Sequence, residues 1–165
     1  MLSITTATDE DLSTLAQIEQ ICFPVKESAS LSTIKSRFAV FPNQFLVAKI
    51  YKDEDTEIVG FINGMITDSL TINDEMYVNA KIHQPNGKYQ TIFGLDVLPS
   101  YQHLGIATKL MNKFIEKAKN EQRLGVILTC KYQLIPFYKQ FGFENLGISQ
   151  STHGGAIWYD MLFKI

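Results

Sequence analysis

Three features of the sequence predict a mixed α+β fold. Two apolar runs, "QFLVAKIY" and "EIVGFINGMIT", flank the charged turn Lys52 to Thr56 and read as an antiparallel hairpin. In the middle of the chain, "YQTIFGLDVL" reads as a strand, a glycine-bearing corner follows, and a helical pattern then gives way to the strand-like "GVILTC". Two last apolar runs, "FENLGIS" and "AIWYDMLFK", are joined through "QSTHGG" and close the chain. With no internal repeat, low-complexity tract or linker, residues 1–165 read as one α+β domain built on a mixed sheet.

The elements follow in order. Thr8, with Asp9, Glu10 and Asp11 behind it, has the chemistry of a helix cap with acids in the first turn. Leu12, Leu15, Ile18 and Cys22 then recur at helical spacing. "FPVKESAS" is a loop with an exposed-looking aromatic. From Ser30 a second amphipathic pattern places Leu31, Ile34, Phe38 and Phe41 on one side. After the hairpin comes a stretch of about twenty residues, Asp68 to Lys88, with turn chemistry at Pro85-Asn86-Gly87. Beyond the corner, Ile106, Leu110, Met111, Phe114, Ile115 and Ala118 trace a helix face about four turns long. "GVILTC" is continuously apolar, as expected of a strand buried on both faces. A short helix carrying "LIPFYKQ" is expected to end at a Gly142 cap.

Composition narrows the function. A net charge of -2 gives no basic footprint for nucleic acid, and no apolar stretch reaches membrane-spanning length. Two cysteines are too few for a disulfide framework, and Met1-Leu2-Ser3 runs into polar sequence without a signal-peptide core, so a cytoplasmic location is expected. The three histidines lack metal-ligand spacing and no metal is expected. The informative stretch is the corner Gln102-His103-Leu104-Gly105-Ile106-Ala107. A helix N-terminus offers unpaired N–H groups and partial positive charge to an anion; Gly105 and Ala107 would leave the approach clear, and Gln102 could add an amide donor. The pattern alone is weak, arising by chance in roughly one chain in six of this length. Its position between a strand and an amphipathic helix strengthens it, against the alternative of a glycine that merely shortens a connection.

These residues resemble the GNAT superfamily of acyl-CoA-dependent N-acetyltransferases. "LDVLPSYQHLGIATKLM" is similar to its acetyl-CoA motif, and "ILTCKYQLIPFYKQFGF" to the following strand and tyrosine-bearing helix. Within the superfamily, "CKYQLIPFYKQFGF", "FPNQFLVA" and "HGGAIWYDM" resemble the arylalkylamine N-acetyltransferases and their microbial relatives. The resemblance implies a central mixed sheet of about seven strands flanked by helices, with acetyl-CoA as cosubstrate slotting where the fourth strand parts from the fifth. Backbone groups of Leu95, Asp96 and Val97 would pair with the pantetheine arm and thioester carbonyl, and residues Gln102, His103, Leu104, Gly105, Ile106 and Ala107 would wrap the pyrophosphate. The Asp96 side chain is either exposed on its strand or facing the acceptor amine.

The implied acceptor is a small-molecule primary amine. With a lysine-like pKa of about 10.4, only on the order of one molecule in a thousand is neutral and nucleophilic at pH 7. Direct attack then needs proximity, an oxyanion donor and a proton for the departing thiolate. The resemblance gives Tyr138 that last role; by composition alone it would be one more core aromatic beside Phe137, Phe141 and Phe143. The paired histidines of the vertebrate enzymes are replaced by Thr91 and Phe93. His153 is the candidate substitute, set against a plain solvated turn; His83 and His103 read as exposed loop residues. Phe23 and Pro24, the Asp68–Lys88 loop and the "THGG" turn are expected to shape the acceptor pocket; Asp74-Glu75 beside Met76-Tyr77 would suit a cation with an apolar body, against the commoner case of a carboxylate pair that is simply solvated in a loop. A protein or peptide N-acetyltransferase and a catalytically silent acyl-CoA-binding module are the alternatives, and the sequence leaves the oligomeric state open.

Overall fold

The computed structural model describes residues 1–165. Its elements, in chain order, are β1 (Leu2–Thr6), α1 (Leu12–Cys22), α2 (Leu31–Val40), β2 (Phe45–Lys52), β3 (Asp55–Asn63), β4 (Ile66–Thr67), α3 (Asp74–Val78), β5 (Tyr89–Ile92), β6 (Gly94–Val97), α4 (Ile106–Asn120), β7 (Gly125–Cys130), α5 (Ile135–Lys139), β8 (Glu144–Ile148) and β9 (Tyr159–Lys164), with short 3-10 turns between several of them. The fold is mixed α+β, as expected. The chain forms two compact units, residues Met1–Gly64 with Gly94–Ile115, and Met65–Phe93 with Glu116–Ile165.

The first unit holds a four-stranded antiparallel sheet ordered β1-β2-β3-β6. The predicted hairpin is its centre, with Phe45 opposite Asn63 and Lys52 opposite Asp55. Phe45, Val47, Phe61 and Ile62 are fully buried in its core. On α1 the apolar stripe Leu12, Leu15 and Ile18 is buried as its spacing requires. Ser30 caps α2 by accepting the Thr33 N–H at 3.2 Å.

The second unit holds a five-stranded sheet ordered β4-β5-β7-β9-β8. Here β7 is central, parallel to β5 and antiparallel to β9, which explains its unbroken apolar sequence. The short helix α5 ends where Gly142, at φ 103, lets Phe143 N–H turn back to the Tyr138 carbonyl. The face of α4 read from sequence is buried at all six positions, Ile106, Leu110, Met111, Phe114 and Ile115 belonging to the first unit and Ala118 to the second.

The strand count departs from expectation: nine strands in sheets of four and five, where about seven in one sheet were expected. Two causes account for it. The single run "YQTIFGLDVL" divides at Phe93, so that β5 joins the five-stranded sheet and β6 the four-stranded one. The run "EIVGFINGMIT" divides likewise after Asn63, its end Ile66–Thr67 forming β4 beside β5 in the five-stranded sheet. The short β1 carries no periodicity strong enough to declare itself, and pairing with β2 makes it a strand.

Candidate active site

In the first unit, β6 lies at an open edge of its sheet. The Leu98 N–H donates to Val59 O at 2.8 Å, which fixes the phase of the β3–β6 ladder. Antiparallel pairs alternate, so Asp96 and Gly94 bond inward to β3, while the backbone groups of Leu95 and Val97 point to the open edge. The Val97 carbonyl is already taken, accepting from Cys22 Sγ at 3.3 Å and Gln102 Nε2 at 3.0 Å. Leu95 N–H and C=O and Val97 N–H remain for an extended ligand.

After β6 a 3-10 turn, Pro99–Tyr101, leads into the corner. Tyr101 holds this turn to the hairpin, its hydroxyl donating to Glu57 at 2.8 Å and accepting from Lys52 Nζ at 3.0 Å. His103 takes φ 62 and Gly105 φ 83. The Gly105 carbonyl accepts the first helical bond, from Lys109 N at 3.1 Å, so Gly105 caps α4. The N–H groups of Ile106, Ala107 and Thr108 therefore have no intrahelical partner. A Cβ on Gly105 would meet nothing within 4 Å, so the cap opens onto free space. His103 and Leu104 are exposed, Ile106 is buried under the cap, and Ala107 is half-buried. Gln102 spends one of its two amide N–H groups on the Val97 carbonyl, bracing the corner against β6.

Asp96 is not an exposed strand residue; it is fully buried. Burial first, and then the neighbouring Glu19 carboxyl, push its pKa well above the usual carboxylate range. Phe23, half-buried, ends α1, and Pro24, exposed, opens the turn that follows it, its carbonyl accepting from Glu27 N and Ser28 N at 2.9 Å. A separate cavity of about 550 Å³ runs along α1, with Asp11, Ile18, Lys49, Glu57 and Leu98 among its lining; none of the predicted site residues lines it.

In the second unit Tyr138 is buried on α5, its ring edge-on to Phe137 at 5.1 Å and to Phe143 at 5.9 Å. That packing fixes the ring's orientation. His153 is not in a loose solvated turn. Its ring stacks on Tyr77 at 4.6 Å, its N–H donates to Ser151 Oγ at 3.3 Å, and its carbonyl accepts Trp158 Nε1 at 2.8 Å. Tyr77 in turn packs against Phe93 and shares a 2.7 Å hydrogen bond with Thr129 Oγ1.

Asp74, expected to suit a cation, is engaged otherwise. Its carboxylate accepts from the Ser151 hydroxyl and from Thr152 N at 3.1 Å. Burial pushes its pKa up, but these hydrogen bonds outweigh that and leave it below the ordinary carboxylate value. His83 is likewise no exposed loop residue: its Nδ1 accepts Ile66 N–H at 3.0 Å, and burial followed by the Arg123 charge lowers its pKa. No group of three or more His, Cys, Asp or Glu side chains is arranged to hold a metal ion.

Sequence reasoning missed Glu19, Arg37, Asn63 and the Asp74–Ser151 link. Glu19 and Arg37 had a signal, since each falls on the apolar stripe of its helix, four residues after Leu15 and three after Ile34. The Asp74 link spans 77 residues and had none.

Residues 12–143 match the sequence model of the Acetyltransferase (GNAT) family. The serotonin N-acetyltransferase of Mesocricetus auratus is 24% identical over 109 residues, 66% of this chain and 51% of that protein. The chain thus spans about half the length of this curated relative. Among solved structures, the GphF GNAT-like decarboxylase in complex with isobutyryl-CoA superposes with a TM-score of 0.81 at 16% identity, covering 98% of each chain. Arabidopsis thaliana Naa50, in complex with the bisubstrate analogue CoA-Ac-MVNAL, gives 0.73 at 20% identity over 99% of each chain.

Proposed function

The chain belongs to the Acetyltransferase (GNAT) family, and from that premise we propose that it transfers an acetyl group from acetyl-CoA to the primary amine of a small molecule, by direct attack in a ternary complex and as a single N-acetyltransferase domain. The observation that carries the reading is the corner at Gly105: a fifteen-residue helix begins on a glycine whose missing side chain opens onto free space. Residues 102–107 hold the pyrophosphate there through first-turn N–H groups and the helix dipole. The free backbone groups of Leu95 and Val97 take the amides of the pantetheine arm, whose extended form suits an open strand edge.

Tyr138 gives its phenolic proton to the CoA thiolate as the thioester breaks. A phenol of ordinary pKa about 10 is protonated at neutral pH and able to do so. His153, its ring stacked on Tyr77, serves the acceptor mainly by shaping its surroundings, ahead of any role as base. The aromatic packing of Tyr77, Phe93 and His153 supports an acceptor with an apolar body, in keeping with the arylalkylamine likeness.

A peptide amine is the second reading, favoured by the likeness to Naa50 with its peptide-bearing analogue. One experiment separates these. Thiol release from acetyl-CoA is followed across aryl amines, polyamines, amino acids and short peptides. Turnover on the small amines supports the proposal, and turnover on peptides alone transfers it to the second reading. CoA binding with no turnover on any acceptor makes the protein a silent acyl-CoA-binding module.

A further inference from the structure

The first unit buries a polar cluster that the chemistry above does not use. Asp96 is fully buried and Glu19 is 5% exposed. A Cβ placed on Gly94 would lie 2.8 Å from Asp96 Oδ1 and 3.3 Å from Glu19 Oε1, so the two carboxyl groups converge on one point. Neither oxygen of Asp96 has a hydrogen-bond donor. Glu19, by contrast, is tied down: its Oε2 accepts the Ala29 N–H at 2.8 Å, at the end of the loop that carries Phe23 and Pro24. The other charged or titratable groups facing Asp96 are Cys22 on α1, whose thiol donates to the Val97 carbonyl, and Arg37 on α2, bonded at 3.4 Å to Asn63.

Two carboxylates this close and out of water do not both ionise. A single proton resolves the conflict and gives the orphaned Asp96 oxygens a hydrogen bond to make. We propose that Glu19 and Asp96 share one proton and act as positioning residues, joining α1 and its following loop to the β6 edge. The inference rests on the reading of β6 as the pantetheine strand and of the Phe23–Pro24 loop as an acceptor wall. Loss of the proton as pH rises sets two negative charges against each other, and both surfaces shift together.

The sign follows from burial and the Glu19 charge, which raise Asp96 far more than Arg37 lowers it. The stabilisation is complete below the ordinary carboxyl range of about 3.8 and is lost as pH rises through the elevated Asp96 value. Asp96→Asn keeps the shape and carries a permanent N–H donor toward Glu19, so it mimics the protonated pair. Glu19→Gln removes the opposing charge while keeping an acceptor for Ala29.

The test has two arms. Infrared difference spectra across pH should show a protonated-carboxyl band in the wild type that persists above pH 5 and is absent from Asp96→Asn. The unfolding free energy of the wild type should fall relative to Asp96→Asn as pH rises from about 4, with a slope no steeper than one proton allows. A band that survives in Asp96→Asn, or parallel stability curves, overturns the shared proton. For positioning, CoA affinity, which the Tyr138 phenol does not govern, is scaled to the variant's own plateau. The wild type should lose affinity as pH rises through the elevated Asp96 value, on a limb that Glu19→Gln displaces or abolishes. An unchanged limb overturns the positioning role and leaves the transferase reading standing. A wild-type protein that binds CoA at no pH removes the transferase reading and the positioning role with it, and the infrared band then reports the shared proton alone.

Discussion

Gly105 offers a perturbation whose structural and functional costs separate. At φ 83 an L-residue is strained, which costs about 1–2 kcal/mol. No steric cost adds to this, because a Cβ there meets nothing within 4 Å. For a chain of this length each kcal/mol lowers the melting temperature by about 2–4 °C, so Gly105→Ala and Gly105→Glu should both melt about 2–8 °C lower. Their circular dichroism at 20 °C should stay native. Affinity for CoA should part the two. Alanine adds a methyl group at the rim of the proposed phosphate cradle and should weaken CoA by about tenfold or less. Glutamate sets a carboxylate beside the pyrophosphate at the helix N-terminus and should weaken it by a hundredfold or more, about 2.7 kcal/mol. Isothermal calorimetry at fixed salt reads both. A glutamate variant that binds CoA like the wild type would reduce the corner to a plain connection.

Two further outcomes follow from the second unit. His153→Ala should cut turnover by less than about a hundredfold, the scale of a general acid or base, because its ring is held as packing against Tyr77; a larger loss makes it the base. Asp74, its pKa held below the ordinary carboxylate value, stabilises the Ser151–Thr152 turn above about pH 4, and that support is lost as pH falls through its folded value. Hydrogen exchange at Thr152 and His153 should therefore quicken in acid, and Asp74→Asn should quicken it at neutral pH by about tenfold or less; exchange that ignores both changes would remove Asp74 as the anchor.

Where periodicity was strong, the sequence was readable. The six-residue face of α4, the hairpin and the doubly buried β7 all declare themselves because burial imposes a repeat of fixed length. Gly105 was readable for a different reason: a strand, a glycine and a helix in that order leave few conformations for the corner. The division at Phe93 was not readable, since the apolar run is continuous and only its pairing partners change. Asp96 was left between two roles because one strand residue does not tell which face its side chain takes. Glu19, lying on the buried stripe of α1, was the sign that something polar waited opposite.

Tyr138→Phe keeps the ring and its packing against Phe137 and Phe143 and deletes the one proton the account assigns to the leaving thiolate. Melting temperature and CoA affinity should barely move. Product release can hide a chemical defect in steady-state turnover, so the deciding quantity is the single-turnover rate of acetyl transfer across pH, with an amine that the wild type accepts. The variant should be slower by about a hundredfold or more, and the alkaline limb set by the phenol should shift or vanish. A phenylalanine variant that matches the wild-type rate at every pH would contradict the account.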